Sequence, residues 1–185
     1  MLLAGDIGGT KTVLALFSTA ESVDTLHPHH LQTYPSGRFS SLEAIITQFL
    51  KDKDVEVEAA TFGVAGPVVN GRSQITNLPW IIDAANIGKT FRIEKVALLN
   101  DLESIANAVP HLQATDLAII NQGEAEPGGA IAVIAPGTGL GEAFLIWDGQ
   151  RYQAHPSEGG HASFAPTNAD QCALQKFLSQ KFHHI

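Results

Sequence analysis

The sequence predicts an α/β protein on a mixed sheet, with one complete unit followed by the start of a second. Three observations predict it. Short apolar runs alternate with segments whose apolar residues recur at helical spacing. A pattern of apolar strand, glycine turn and apolar strand occurs twice, at residues 2–19 ("LLAGDIGGTKTVLALFST") and at 130–150 ("AIAVIAPGTGLGEAFLIWDGQ"). Between the two copies, "NQGEAEPGG" (121–129) is rich in glycine, proline and acid and reads as a loop near a domain boundary.

Taken in order, residues 2–6 and 12–19 are two strands joined by the glycine turn, and 28–35 is a third. "SLEAIITQFLKD" (41–52) has helical spacing, with Ser40 or Ser41 as its N-cap. "AATFGVAG" (59–66) is a small-residue strand stopped by Gly66-Pro67. "VVNGRSQITNLPW" (68–80) reads as a loop in which Asn70-Gly71 is a strong turn signal and Trp80 is expected in the core. Residues 83–90 form a helix, "KVALLND" (95–101) a buried strand ending in polar residues, and "LESIANAVPHL" (102–112) a helix that Pro110 ends. After the second hairpin come "RYQAHPS" and the helix "ADQCALQKFLSQKF" (169–182). The expectation is a first lobe at 1–120 and an incomplete start of a second at 121–185, so that either another segment supplies the rest or the chain is a fragment.

The 185 residues carry a formal net charge of −8, which argues against nucleic-acid binding and against holding phosphate by massed positive charge. Any phosphate must be held by backbone amides, a helix terminus or a metal. Cys172 is the single cysteine, so an intramolecular disulfide and a cysteine-built structural zinc site are excluded. No apolar run approaches the roughly 20 residues of a membrane span, and "MLLAGD" is too short for a signal segment. A cytoplasmic protein without membrane or nucleic-acid partners is expected.

Chemistry concentrates in a few places. "GDIGGTKT" (5–12) is not a Walker A loop, because Thr10 stands where a glycine must precede the lysine. "GTGLGE" (137–142) is not a dinucleotide fingerprint, because Glu142 replaces its last glycine. Both are strand-to-strand turns whose glycines let N–H groups face an anion; the bland reading is two tight turns. Asp6 can hold a divalent cation through water or serve as an Asx-turn residue. In "LLNDLES" (98–104), Asn100 and Asp101 follow a strand and precede a helix, where a carboxylate can act as general base or merely cap the helix. "HPSEGGHASF" (155–164) offers Glu158 and His161, suited to vicinal hydroxyls and too few for a metal site. The terminal "FHHI" reads as an exposed helix end.

Together, "GDIGGTKT", "GVAGPV", "TNLPW", "LLNDLESIA", "APGTGLGEAFL" and "PSEGGHASFAP", in this order along nearly the whole chain, resemble the bacterial hexokinase-type glucokinases of the sugar kinase–actin–chaperone superfamily. The resemblance implies a ribonuclease-H-like (actin-like ATPase) fold in each of two lobes with the active site between them. It implies ATP and Mg²⁺, with Asp6, Gly8, Gly9, Thr10, Lys11, Gly137 and Thr138 toward the nucleotide and Asp6 near the metal through water. It implies Asp101 as base for the 6-hydroxyl of glucose, with Asn100, Gly139, Glu158 and His161 binding the sugar beside it. A homodimer is compatible with it. Two departures stand out: the family's larger second lobe, with its adenosine segment and a further sugar-binding glutamate, lies beyond this chain, and the cysteine-rich zinc motif of the neighbouring repressor/open-reading-frame/kinase group is absent. The alternatives are a catalytically silent sugar-binding or regulatory module and an actin-like ATPase.

Overall fold

The structure is a computed structural model that describes residues 1–22, 26–75, 77–137 and 139–182. Its first unit is a five-stranded mixed sheet. Strand β1 (Leu2–Ile7) pairs antiparallel with β2 (Lys11–Phe17), which pairs with β3 (His30–Pro35). On its other side β1 runs parallel to β4 (Ala59–Val64), and β4 parallel to β7 (Lys95–Asn100). The register puts Ile7 beside Val64 and Val64 beside Asn100. The carboxyl ends of the three parallel strands therefore finish in one row, the edge at which open α/β sheets gather ligands.

Helix α1 (Leu42–Leu50) covers the sheet with Leu42, Ile45, Ile46 and Phe49, all fully buried, against Leu3, Leu14, Leu16 and Phe62. The i, i+3, i+4, i+7 spacing makes that apolar stripe. Ser41, not Ser40, is its N-cap, accepting from the Ala44 N–H at 3.3 Å. Helix α2 (Ala84–Phe91) is capped by Asp83 and stops where Arg92 turns left-handed. Trp80 lies in this core, 3 % exposed.

Three expectations change. The stretch 68–80 is not all loop. Asn70 and Gly71 both adopt left-handed φ, 52° and 71°, and form a two-residue turn that starts β5 (Arg72–Gln74), paired with β6 (Ile81–Asp83). The polar Arg-Ser-Gln run hid this strand, although Ser73 in its middle is buried. Strand β7 is not buried either: it ends the sheet, and only Leu98 along it is buried. The helix after it, α3 (Asp101–Ala108), takes in Asp101 and gives way to a 3₁₀ turn at Val109–His111, where Pro110 has no N–H to continue the ladder.

The second hairpin is β8 (Ile131–Pro136) with β9 (Leu140–Trp147), and β10 (Tyr152–Ser157) adds a third antiparallel strand. Helix α3 lies against this sheet: Ala106 joins Ala143 and Leu145 in a small core flanked by Leu102, Val109 and Ile131. Helix α4 (Ala169–Phe182) follows with no buried residue. Among the described residues no helix is long and apolar enough to cross a membrane.

Candidate active site

The first glycine turn is closed by the Gly8 N–H donating to Lys11 O at 2.9 Å. The N–H groups of Gly9 and Thr10 have no acceptor among the described residues. Asp6 lies inside β1, one residue before its end, with an exposed side chain. Its carboxylate takes no hydrogen bond or ion pair from the described residues, so it makes no Asx turn. Lys11, first in β2, is exposed as well. In the second turn the Gly137 N–H donates to Gly139 O at 2.8 Å, and Thr138 lies outside the described residues.

Where β7 runs into α3, Asn100 and Asp101 divide the work. Asn100 is the N-cap: its Oδ1 accepts from the Leu102 N–H at 2.9 Å. Its Nδ2 donates to Gly66 O at 3.2 Å, tying the end of β7 to the turn after β4. Asp101 Oδ1 accepts from the same Leu102 N–H at 2.9 Å, which leaves Oδ2 open. The carboxylate stands in the first turn of a helix, where the dipole favours negative charge.

Strand β10 ends in Ser157, opposite Glu142 of β9, and the chain then folds into a 3₁₀ turn at Gly159–His161. The second glycine of "EGGH" is required by space, because its neighbour is backbone, whereas the first faces the movable end of a side chain. A Cβ on Gly160 would stand 1.9 Å from Leu140 O, and one on Gly159 would stand 2.1 Å from Glu142 Oε2. The turn lies flat on β9 and turns its flanking side chains outward. Glu158 and His161, both largely exposed, meet each other with Nδ1 to Oε2 at 3.0 Å.

A cavity of about 320 Å³ joins these pieces, lined among others by Asn100, Asp101, Glu142, Ser157, Glu158 and His161. Four predicted residues thus come together from β7, α3 and the turn after β10. Asp6, the 8–11 turn, Gly137 and Gly139 do not line it. Neither Glu142, read in the sequence only as a departure from a dinucleotide fingerprint, nor Ser157 is singled out there as a site residue. Their only signal was strand alternation after "GTGLG", which puts Glu142 and Ser157 opposite each other on neighbouring strands. A larger cavity, about 620 Å³, runs beside α3 past Trp147, Arg151 and Tyr152 and holds none of the predicted residues.

The described residues contain no cluster of three or more His, Cys, Asp or Glu able to hold a metal. A divalent cation at Asp6 would need water and phosphate oxygens to complete its shell. A carboxylate that is exposed and has no partner among the described residues leaves room for such a shell.

The model of the glucokinase family matches residues 3–185. The chain belongs to the glucokinase family. It is 42 % identical to a glucokinase of Nostoc sp. over 183 residues, covering 98 % of this chain and 53 % of that protein. The crystal structure of a glucokinase from an Antarctic psychrotroph superposes with a TM-score of 0.87 at 30 % identity, covering all of this chain and 58 % of the other. The glucokinase of Balamuthia mandrillaris, solved in complex with glucose, gives a TM-score of 0.71 at 25 % identity and covers 98 % and 55 %. The chain thus spans about half the length of these relatives. Its fold is the ribonuclease-H-like, actin-like ATPase type expected from the motifs.

Proposed function

We propose that this chain is the N-terminal part of an ATP-dependent glucokinase of the cytoplasm, which transfers the γ-phosphoryl group of ATP to the 6-hydroxyl of glucose. The observation that carries the proposal is the meeting of Asn100, Asp101, Glu158 and His161 on one cavity of about 320 Å³ at the carboxyl edge of the parallel strands. Residues 1–120 form a first lobe, and 121 begins a second. The exposed apolar side chains of the second unit, Ile134 at 64 % and Phe177 at 56 % among them, support a longer fold that covers them.

In this reading the sugar occupies the cavity with its 6-hydroxyl toward Asp101. The Leu102 N–H holds Oδ1 in place, and Oδ2 accepts the hydroxyl proton as the oxygen attacks phosphorus in line. Asn100 keeps one amide hydrogen free for the sugar while the other donates to Gly66 O and its Oδ1 accepts from the Leu102 N–H at the helix start. Glu158, His161 and the turn at Gly139 engage the remaining hydroxyls. The amides of Gly9 and Thr10, with Lys11, face the phosphates, and Gly137 and Thr138 approach them from the second lobe. Asp6 would hold Mg²⁺ through water, and the cation would neutralise charge on the phosphoryl oxygens.

The test is a coupled glucose-6-phosphate assay. The intact protein should turn over with glucose and ATP. Residues 1–185 alone should bind glucose weakly and turn over little. A kcat near an ordinary enzyme's, about 10 s⁻¹, from residues 1–185 alone would sink the partial-lobe reading. ATP hydrolysis that ignores glucose would sink the kinase reading.

A further inference from the structure

Behind the first glycine turn lies a serine that no motif singles out. Ser36 follows β3, opens a 3₁₀ turn at Ser36–Arg38, and is fully buried. Its N–H donates to Thr10 O at 3.0 Å, and its Oγ donates to Gly8 O at 2.8 Å. A serine hydroxyl carries one proton, so once that bond is made Ser36 Oγ can only accept from Thr12 Oγ1, which lies 2.9 Å away and is also fully buried. Two carbonyls of the turn, Gly8 and Thr10, are thus pulled toward one residue. A peptide plane is rigid, and its C=O and N–H point in opposite directions. Holding Gly8 O toward Ser36 therefore drives the Gly9 N–H out on the opposite side of the turn, where it meets no acceptor among the described residues.

Buried hydroxyls cost free energy unless they are paired, and a glycine turn needs no such anchor to close, since the Gly8 N–H to Lys11 O bond already closes it. What the anchor adds is direction. We propose that Ser36, assisted by Thr12, is a positioning residue: it fixes the 8–10 turn so that its amides stand preset for an anionic oxygen. The inference rests on the reading above that this turn faces nucleotide phosphate. An amide aimed in advance loses no freedom when the anion arrives, which is the physical gain of preorganisation.

The experiment uses the intact protein and Ser36→Ala, with Thr12→Val as a second variant that keeps shape and leaves the Ser36 to Gly8 bond in place. Amide order parameters report the turn, and calorimetry with MgATP and, separately, with glucose reports the ligands. In Ser36→Ala the Gly9 and Thr10 amides should fall from a rigid value of about 0.85 toward 0.6, with β1 unchanged. MgATP should bind about tenfold more weakly, the size of one lost hydrogen bond, while glucose affinity holds. Thr12→Val should move both readouts the same way by less, and it carries the test if Ser36→Ala does not fold. Unchanged order parameters and unchanged MgATP affinity in the variants overturn the proposal. So does an equal loss of MgATP and glucose binding with a lower melting temperature, which would make Ser36 merely structural. A wild-type protein that binds no MgATP at all overturns the function assigned to the turn instead, and the order parameters then decide the anchoring separately.

Discussion

Replacing Asp101 by Asn, with Asn100→Ala as its counterpart, separates base from cap at two adjacent residues. Asn100 carries the cap. Its loss removes one of the two acceptors of the Leu102 N–H, at 2.9 Å, and the bond to Gly66 O at 3.2 Å. A cap contributes about 1 kcal/mol and a part-buried hydrogen bond about 1 more, so Asn100→Ala should cost about 2 kcal/mol. For a chain of this size that lowers Tm by about 4–8 °C. Asp101→Asn keeps an Oδ1 for the Leu102 N–H and loses only a charge in the first turn of α3, a cost of about 0.3–1 kcal/mol. Yet an amide cannot take up the hydroxyl proton, so turnover of the intact protein should fall roughly 100-fold or more. That is about 2.7 kcal/mol in the barrier. Glucose should still bind. Melting curves and the coupled glucose-6-phosphate assay on both variants give the comparison. Near-normal turnover in Asp101→Asn would remove Asp101 as base, and a stability loss larger than that of Asn100→Ala would refute the division between the two residues.

Other consequences follow from the same geometry. Gly160→Ala puts a Cβ against the Leu140 carbonyl, which no rotamer relieves, so calorimetric glucose affinity should drop and stability fall by about 1–3 kcal/mol; a variant that binds and melts like wild type would refute the close-packed turn. Glu158→Gln and His161→Ala should each weaken glucose binding by about 1–3 kcal/mol while MgATP binding holds; a lower Tm with unchanged glucose affinity would mark them as structural. Asp148, which joins β9 to β10, is held down to about 2 from 3.8 by the Gln153 side chain, then by the Arg151 and Gln150 N–H groups. Because its folded value is depressed, its stabilisation is present above the unfolded value and is lost as pH falls from about 4 toward 2; a carboxyl NMR titration should show the low midpoint and Gln153→Ala should raise it, and a wild-type midpoint near 3.8 would contradict the hydrogen-bonded turn. Phe49→Ala, deleting a fully buried ring under the first sheet, should cost about 3–5 kcal/mol by chemical denaturation; a cost under about 1 kcal/mol would mean that α1 is not a true core element.

Local pattern determined much of this molecule. The apolar runs of β1, β2 and β4, the Ser41 cap and stripe of α1, the Asn70-Gly71 turn and the repeated hairpin at β8–β9 each rest on neighbours within a few residues, and all are legible in the chain. So are Asn100 and Asp101, because a strand running into a helix is a local event. Tertiary structure decided the rest. That β7 ends its sheet, and so stays partly exposed, depends on which strand finds no further partner. That Arg72–Gln74 is a strand depends on Ile81–Asp83 offering a ladder, which polar side chains do not announce. Glu142 and Ser157 reach the cavity through cross-strand register, and the second glycine of "EGGH" is needed because the Leu140 carbonyl stands across from it. Ser36 shows the same limit: a serine near the end of a strand is unremarkable until the fold buries it against carbonyls 26 and 28 residues earlier in the chain. Periodicity and capping act through the backbone's own geometry over three or four residues, whereas register, edge position and the burial of a hydroxyl are set by which distant segments pack together.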